Sequence, residues 1–147
     1  MNRQSNKITA LYCRMAHYDG DTDALTVRNQ MEQLTAYAAK NGLQNPKFFC
    51  DWGFSGTTTE RPEYQRMLRE VEAGNVPDLV VMSLPRLCRD FMTCQELLER
   101  VLPQAGVTLH ILQEGAAFTP QNIRVEAKQR NELLALFQQE WQRGGRK

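Results

Sequence analysis

The sequence predicts an α/β fold: a mainly parallel central sheet with helices on both faces, followed by a C-terminal amphipathic helix. Short apolar runs recur at residues 8–13, 47–50, 78–82 and 107–112. Between them lie stretches of helical length whose apolar residues repeat at three- and four-residue steps. This alternation of strand and helix calls for right-handed crossovers and a sheet covered on both sides. The 147 residues suit one domain of this kind.

Residues 8–13, Ile-Thr-Ala-Leu-Tyr-Cys, read as a strand buried on both faces. Val27, Met31, Leu34 and Ala38 then form one stripe on a helix from Thr26 that stops at Asn41-Gly42. Residues 47–50 are a second strand, and residues 51–62 hold too many Gly and hydroxyl residues for either element and read as an exposed loop. Pro62 can start a helix, whose apolar face is Tyr64, Met67, Leu68 and Val71 and whose end is marked by Gly74. A third strand spans 78–82, and Ser83–Asp90 reads as a loop. Cys94, Leu97, Leu98, Val101 and Leu102 mark the next helix, closed by Pro103 and Gly106 ahead of a fourth strand at 107–112. After Pro120 comes a helix with a Leu133, Leu134, Phe137 and Trp141 stripe among polar residues. The expected division is therefore a domain over residues 1–120 and a helical tail over 121–147.

Composition narrows the classes of function. Hydrophobic residues make up 41% and charged residues 24%, with 9 Gly and 6 Pro, which excludes a collagen-like or low-complexity chain. Eighteen basic against 17 acidic residues leave a net charge of +1, so any nucleic-acid contact has to be local. The tail is the basic part, with 6 basic and 3 acidic groups in residues 121–147. No apolar run has the length of a membrane span and the start of the chain lacks a signal-peptide pattern, so a cytoplasmic, membrane-free protein is expected. The cysteines at 13, 50, 88 and 94 form no C-x-x-C pair and have no nearby histidine at ligand spacing. That argues against a zinc site and fits a reducing compartment.

Ligands of open α/β sheets gather at the carboxyl ends of the strands, and there the loops hold arginines. Arg14 follows the first strand, Arg61 closes the loop after the second, and Arg86 and Arg89 follow the third. Guanidinium groups match phosphate geometry and stay charged, as a metal-free phosphoryl site requires. On spacing alone, the competing reading is a set of surface arginines paired with Asp51, Glu60 and Asp90. Neither G-x-G-x-x-G nor a P-loop follows the first strand, which disfavours a nucleotide cofactor. His17 and His110 have no local nucleophile to serve and read as structural residues.

The string Tyr12-Cys13-Arg14-Met15-Ala16, Gln30, Asp51, Ser55-Gly56 through Glu60-Arg61-Pro62, and Leu84 through Asp90 resemble the N-terminal catalytic domain of serine site-specific recombinases. The resemblance covers residues 7–118 and is nearest to the large transposon-encoded members. It implies a resolvase-like fold and cleavage of DNA through a phosphoserine intermediate, without metal or other cofactor. Arg14, Arg61, Arg86 and Arg89 match the family's phosphate-binding arginines, and Gln30, Asp51 and Ser55 its supporting polar residues. DNA is the implied partner. The implied assembly is a homo-oligomer, dimeric and then tetrameric at synapsis, or a hetero-oligomer with an active recombinase.

The sequence departs from the pattern in three places. The family's nucleophilic serine falls at Ala16, and a methyl group cannot attack phosphorus. Pro85 stands before Arg86, where small resolvases often carry aspartate. The chain stops at Lys147, without the family's separate DNA-binding part. The expected function is a recombinase catalytic domain that does not cleave; the alternatives are a non-catalytic partner or regulator of an active recombinase, and a module binding a small phosphorylated ligand.

Overall fold

The computed structural model describes residues 7–14, 21–51, 61–88 and 91–123, with the backbone alone described for residues 21–27, 85, 86 and 91. Strand β1 (Thr9–Arg14) leads to helix α1 (Asp21–Lys40), β2 (Pro46–Asp51), α2 (Pro62–Glu72) and β3 (Asp78–Val81). A single helical turn, α3 (Leu84–Leu87), precedes α4 (Phe91–Glu96), which runs through a π-helical stretch (Leu97–Val101) into α5 (Leu102–Ala105). Strands β4 (Thr108–Ile111) and β5 (Ala116–Phe118) follow, joined by a 3-10 turn at Leu112–Glu114.

The five strands form one sheet in the order β2-β1-β3-β4-β5. The pairs β1 with β2, β1 with β3 and β3 with β4 are parallel, and β5 returns antiparallel to β4. This is the expected mainly parallel α/β sheet.

Alternation along β1 sends successive residues to opposite faces. Ala10 and Tyr12 join Met67 and Val71 of α2, Leu79 and Val81 of β3, and the α4–α5 leucines in the larger core. Leu11 and Cys13 point the other way, packing with Leu34 and Ala38 of α1 and Val80 of β3. Both sides of β1 are therefore dry, which is why its sequence is a continuous apolar run rather than an alternating one.

Beyond shifts of one residue at strand ends, several features differ from the sequence reading. Helix α1 begins at Asp21 instead of Thr26, and Leu84–Leu87 is a helical turn within the expected loop. Pro103 does not end its helix: the chain stays helical to Ala105 and stops at Gly106, whose φ of 74° suits a left-handed cap. The Leu102 N–H bonds the Leu97 oxygen, five residues back, so the missing N–H of Pro103 falls where the ladder changes register. The three-residue strand β5 went unread because so short an edge segment carries no period.

His110 is a structural residue, as the sequence suggested. Its ring links the Tyr37 hydroxyl at 2.8 Å to the Asp78 carboxylate at 2.8 Å across α1, β4 and β3. His17 lies outside the described residues. The chain is helical again at 120–123, and Ile123 is buried in the larger core. The Leu133–Trp141 stripe lies outside the described residues.

Candidate functional site

Parallel pairing places Arg14 and Asp51 opposite each other at the carboxyl ends of β1 and β2. Tyr12, two residues before Arg14 on the same face, is fully buried and brings its hydroxyl to this end of the sheet. The hydroxyl donates to Asp51 Oδ2 at 2.9 Å. A buried phenol needs such a partner, because its O–H gives up water when the ring enters the core.

Asp51 serves a second purpose. Its Oδ1 accepts the Glu63 N–H at 3.0 Å and its Oδ2 accepts the Tyr64 N–H at 2.9 Å. These are second- and third-position amides of α2, which begins at Pro62 and gets no side-chain cap from Arg61. The end of β2 thus caps α2, and its charge complements the positive helix terminus. Only 2% of Asp51 is exposed.

With the carboxylate engaged in this way, Arg61 is held by other groups. Its Nη1 donates to the Tyr12 hydroxyl oxygen at 3.2 Å and to the Leu87 carbonyl at 3.1 Å. The guanidinium carbon lies 3.9 Å from the centroid of the Tyr64 ring and 5.9 Å from that of Tyr12. Among the described residues Arg61 forms no ion pair, and its Nε and Nη2 hydrogens have no hydrogen-bond partner. Among the described residues the cation is positioned by a ring, a phenol and a carbonyl, which use one nitrogen of its donor fork.

Burial, above all, raises the Tyr12 pKa well beyond the ordinary tyrosine range. Arg61 opposes the shift, while the Asp51 charge reinforces it. The phenol stays protonated at neutral pH, so the chain Arg61 to Tyr12 to Asp51 is a fixed donor relay.

The structure brings Arg14, Asp51 and Arg61 to one end of the sheet, together with the backbone of α3, which carries Arg86 next to Leu87. The Arg86 side chain, Ala16, Ser55 and Arg89 lie outside what is described. Gln30 is buried on α1, which packs against the opposite face of the sheet from α2. Of the carboxylates in the competing reading of paired surface arginines, Asp51 forms no ion pair with Arg61, and Glu60 and Asp90 lie outside the described residues. Sequence reasoning missed Tyr12, Tyr64 and the Leu87 carbonyl. Only Tyr12 left a signal, a polar ring two residues before Arg14 in an apolar strand.

Two of the cysteines, read one by one in the sequence, meet in the structure. Cys88 and Cys94 are joined by a disulfide, with Cα atoms 5.4 Å apart, while Cys13 and Cys50 are in no disulfide. Among the described residues no cluster of three His, Cys, Asp or Glu side chains is placed to hold a metal. No described helix is long and apolar enough to cross a membrane.

A sequence model of the family described as Resolvase, N terminal domain, matches residues 9–141. The chain belongs to this family. It is 32% identical over 108 residues to the transposon Tn501 resolvase of Pseudomonas aeruginosa, a match spanning 74% of this chain and 48% of that protein. It is also 30% identical over 74 residues to an uncharacterised immunity region protein of Bacillus phage phi105, across 50% of this chain and 90% of that one. The N-terminal catalytic domain of TP901-1 integrase superposes with a TM-score of 0.66 at 23% identity, over 96% of this chain and all of that domain. The C-terminal catalytic domain of ISC1926 TnpA, an IS607-like serine recombinase, gives 0.59 at 24% identity, over 71% and 66% of the two chains. These resolvase-like neighbours share the fold found here.

Proposed function

We propose that this resolvase-family chain is a serine-recombinase catalytic domain that grips the phosphodiester backbone of DNA and does not cut it. The observation that supports the reading most directly is Arg61. Its charge is oriented at the carboxyl end of the sheet and, among the described residues, meets no carboxylate, which leaves donors for a phosphate oxygen. Arg14 enters the same end from β1, and Arg86 and Arg89 follow β3 in sequence, so the strand order lets them serve the same phosphate. Such donors stabilise charge developing on phosphorus oxygens. Asp51 and Tyr12 act as positioning residues through α2 and Arg61.

Cleavage needs an oxygen nucleophile, and Ala16 stands where the family's serine is expected. Binding without strand cleavage follows. The proposed organisation keeps residues 1–120 as the catalytic body and 121–147 as a basic tail that adds salt-sensitive DNA affinity and a self-association surface. A cytoplasmic location suits a DNA-acting protein of this kind.

The test is titration of short duplex DNA with the full chain over a range of salt. Log affinity is expected to fall against log salt with a slope of about −0.9 for each phosphate neutralised. Loss of Arg61 should weaken binding and flatten that slope. Tight binding of a small phosphate ester with indifference to DNA would favour the ligand-module reading instead.

A second reading, a non-catalytic regulator of an active recombinase, draws on Ala16 and on the likeness to the phage immunity region protein. It predicts that the chain lowers the rate of a related active recombinase when the two are mixed.

A further inference from the structure

Cys88 directly follows Leu87, whose carbonyl holds Arg61, and stands in sequence between Arg86 and Arg89. Its disulfide partner Cys94 belongs to α4, so the bond ties the end of α3 to the next helix. Both residues are buried in the larger core beside Leu84, Leu87, Leu97 and Leu98. The other two cysteines, paired in register as Cys13 and Cys50, pack against α1 on the opposite face. Exchange between the two pairs is therefore blocked by the sheet.

Cys88 Sγ lies 3.8 Å from the Leu84 oxygen, and Cys94 Sγ lies 3.6 Å from the Cys88 oxygen. A carbonyl oxygen therefore stands near each sulfur, an acceptor close at hand for a thiol once the bond opens and the sulfurs move apart. A reducing compartment favours the dithiol, so the bond there is conditional rather than permanent.

We propose that Cys88 and Cys94 form a reversible thiol–disulfide site that sets how firmly the Leu87 carbonyl, and through it Arg61, is held. Oxidation uses a low-molecular-weight disulfide of the glutathione type. One cysteine thiolate attacks it and expels one small thiol; the second thiolate then attacks the mixed disulfide and expels the other. Two protons leave the cysteines, two electrons pass to the small disulfide, and one protein S–S bond forms. Because both sulfurs are buried, exchange proceeds through local opening of the α3–α4 junction. The consequence for DNA rests on the proposed role of Arg61; the thiol chemistry does not.

The experiment equilibrates the full chain with graded mixtures of reduced and oxidised glutathione, blocks free thiols, and maps the Cys88–Cys94 bond by mass. Amide hydrogen exchange and short-duplex DNA binding are then measured on the two forms. The bond should form and open reversibly, with amides of residues 84–96 exchanging at least about fivefold faster in the dithiol form. The double variant Cys88→Ser, Cys94→Ser should match the dithiol form and ignore glutathione. DNA affinity should be higher for the disulfide form by about threefold. A dithiol that oxidised glutathione cannot close, or closure that leaves exchange unchanged, overturns the proposal. Redox-dependent exchange with equal DNA affinity overturns the link to Arg61. DNA binding by neither form overturns the reading of the site as a DNA grip, and exchange alone then decides the thiol–disulfide site.

Discussion

The guanidinium of Arg61 lies over the ring of Tyr64, three residues further along the chain, with its central carbon 3.9 Å from the ring centroid. The ring holds the guanidinium on one side while Nη1 is occupied by Tyr12 and Leu87. A lysine keeps the charge but has neither the plane nor the fork. Arg61→Lys is therefore expected to weaken short-duplex DNA binding by about threefold to tenfold at low salt, measured by fluorescence anisotropy. Unchanged affinity would show that charge alone matters at this position.

Asp51 is the joint between sheet and helix. Asp51→Ala removes the acceptor for two α2 amides and for the Tyr12 hydroxyl in a buried place. A loss of about 2–3 kcal/mol in urea unfolding is expected, with Asp51→Asn recovering part of it because it keeps one oxygen acceptor. Equal stability of all three proteins would remove the cap from the account.

The first half of this arrangement was legible in the sequence and the second was not. The apolar run of β1, Pro62 at the start of α2 and the stripes of Leu34 with Ala38 and of Met67 with Val71 announce the alternation of strand and helix. The strand ends then locate Arg14 and Arg61 at one end of the sheet. The cap escapes because capping rules search the residue just before a helix, here Arg61, whereas the acceptor comes from β2 through strand register. The use of Leu87 escapes for a related reason: a backbone carbonyl has no sequence signature. The cysteine spacing at 88 and 94 was visible, but six residues of separation do not fix whether two sulfurs meet.

Tyr12 predicts a pH dependence with a definite sign. The folded chain holds the phenolic proton more tightly than the unfolded chain, whose tyrosine titrates near the ordinary value of 10.0. The resulting stabilisation is fully present below that pH and is lost as pH rises toward the higher folded value. Unfolding midpoints compared at about pH 8 and about pH 11 should drop less for Tyr12→Phe than for the unsubstituted chain. Tyr37, raised in the same direction mainly by burial, should sustain part of the drop in both. An equal drop in the two proteins would mean that Tyr12 does not hold its proton as described.

The central claim is that the site grips DNA phosphate with its nucleophile missing, and covalent capture tests it most directly. The unsubstituted chain and Ala16→Ser are each incubated with duplex DNA carrying the recombination site of a full-length resolvase relative. Denaturation and mass analysis then detect a protein bonded to a 5′ phosphate. Ala16→Ser should form the adduct and the unsubstituted chain should form none. An adduct from the unsubstituted chain would place the nucleophile at another residue and contradict the account.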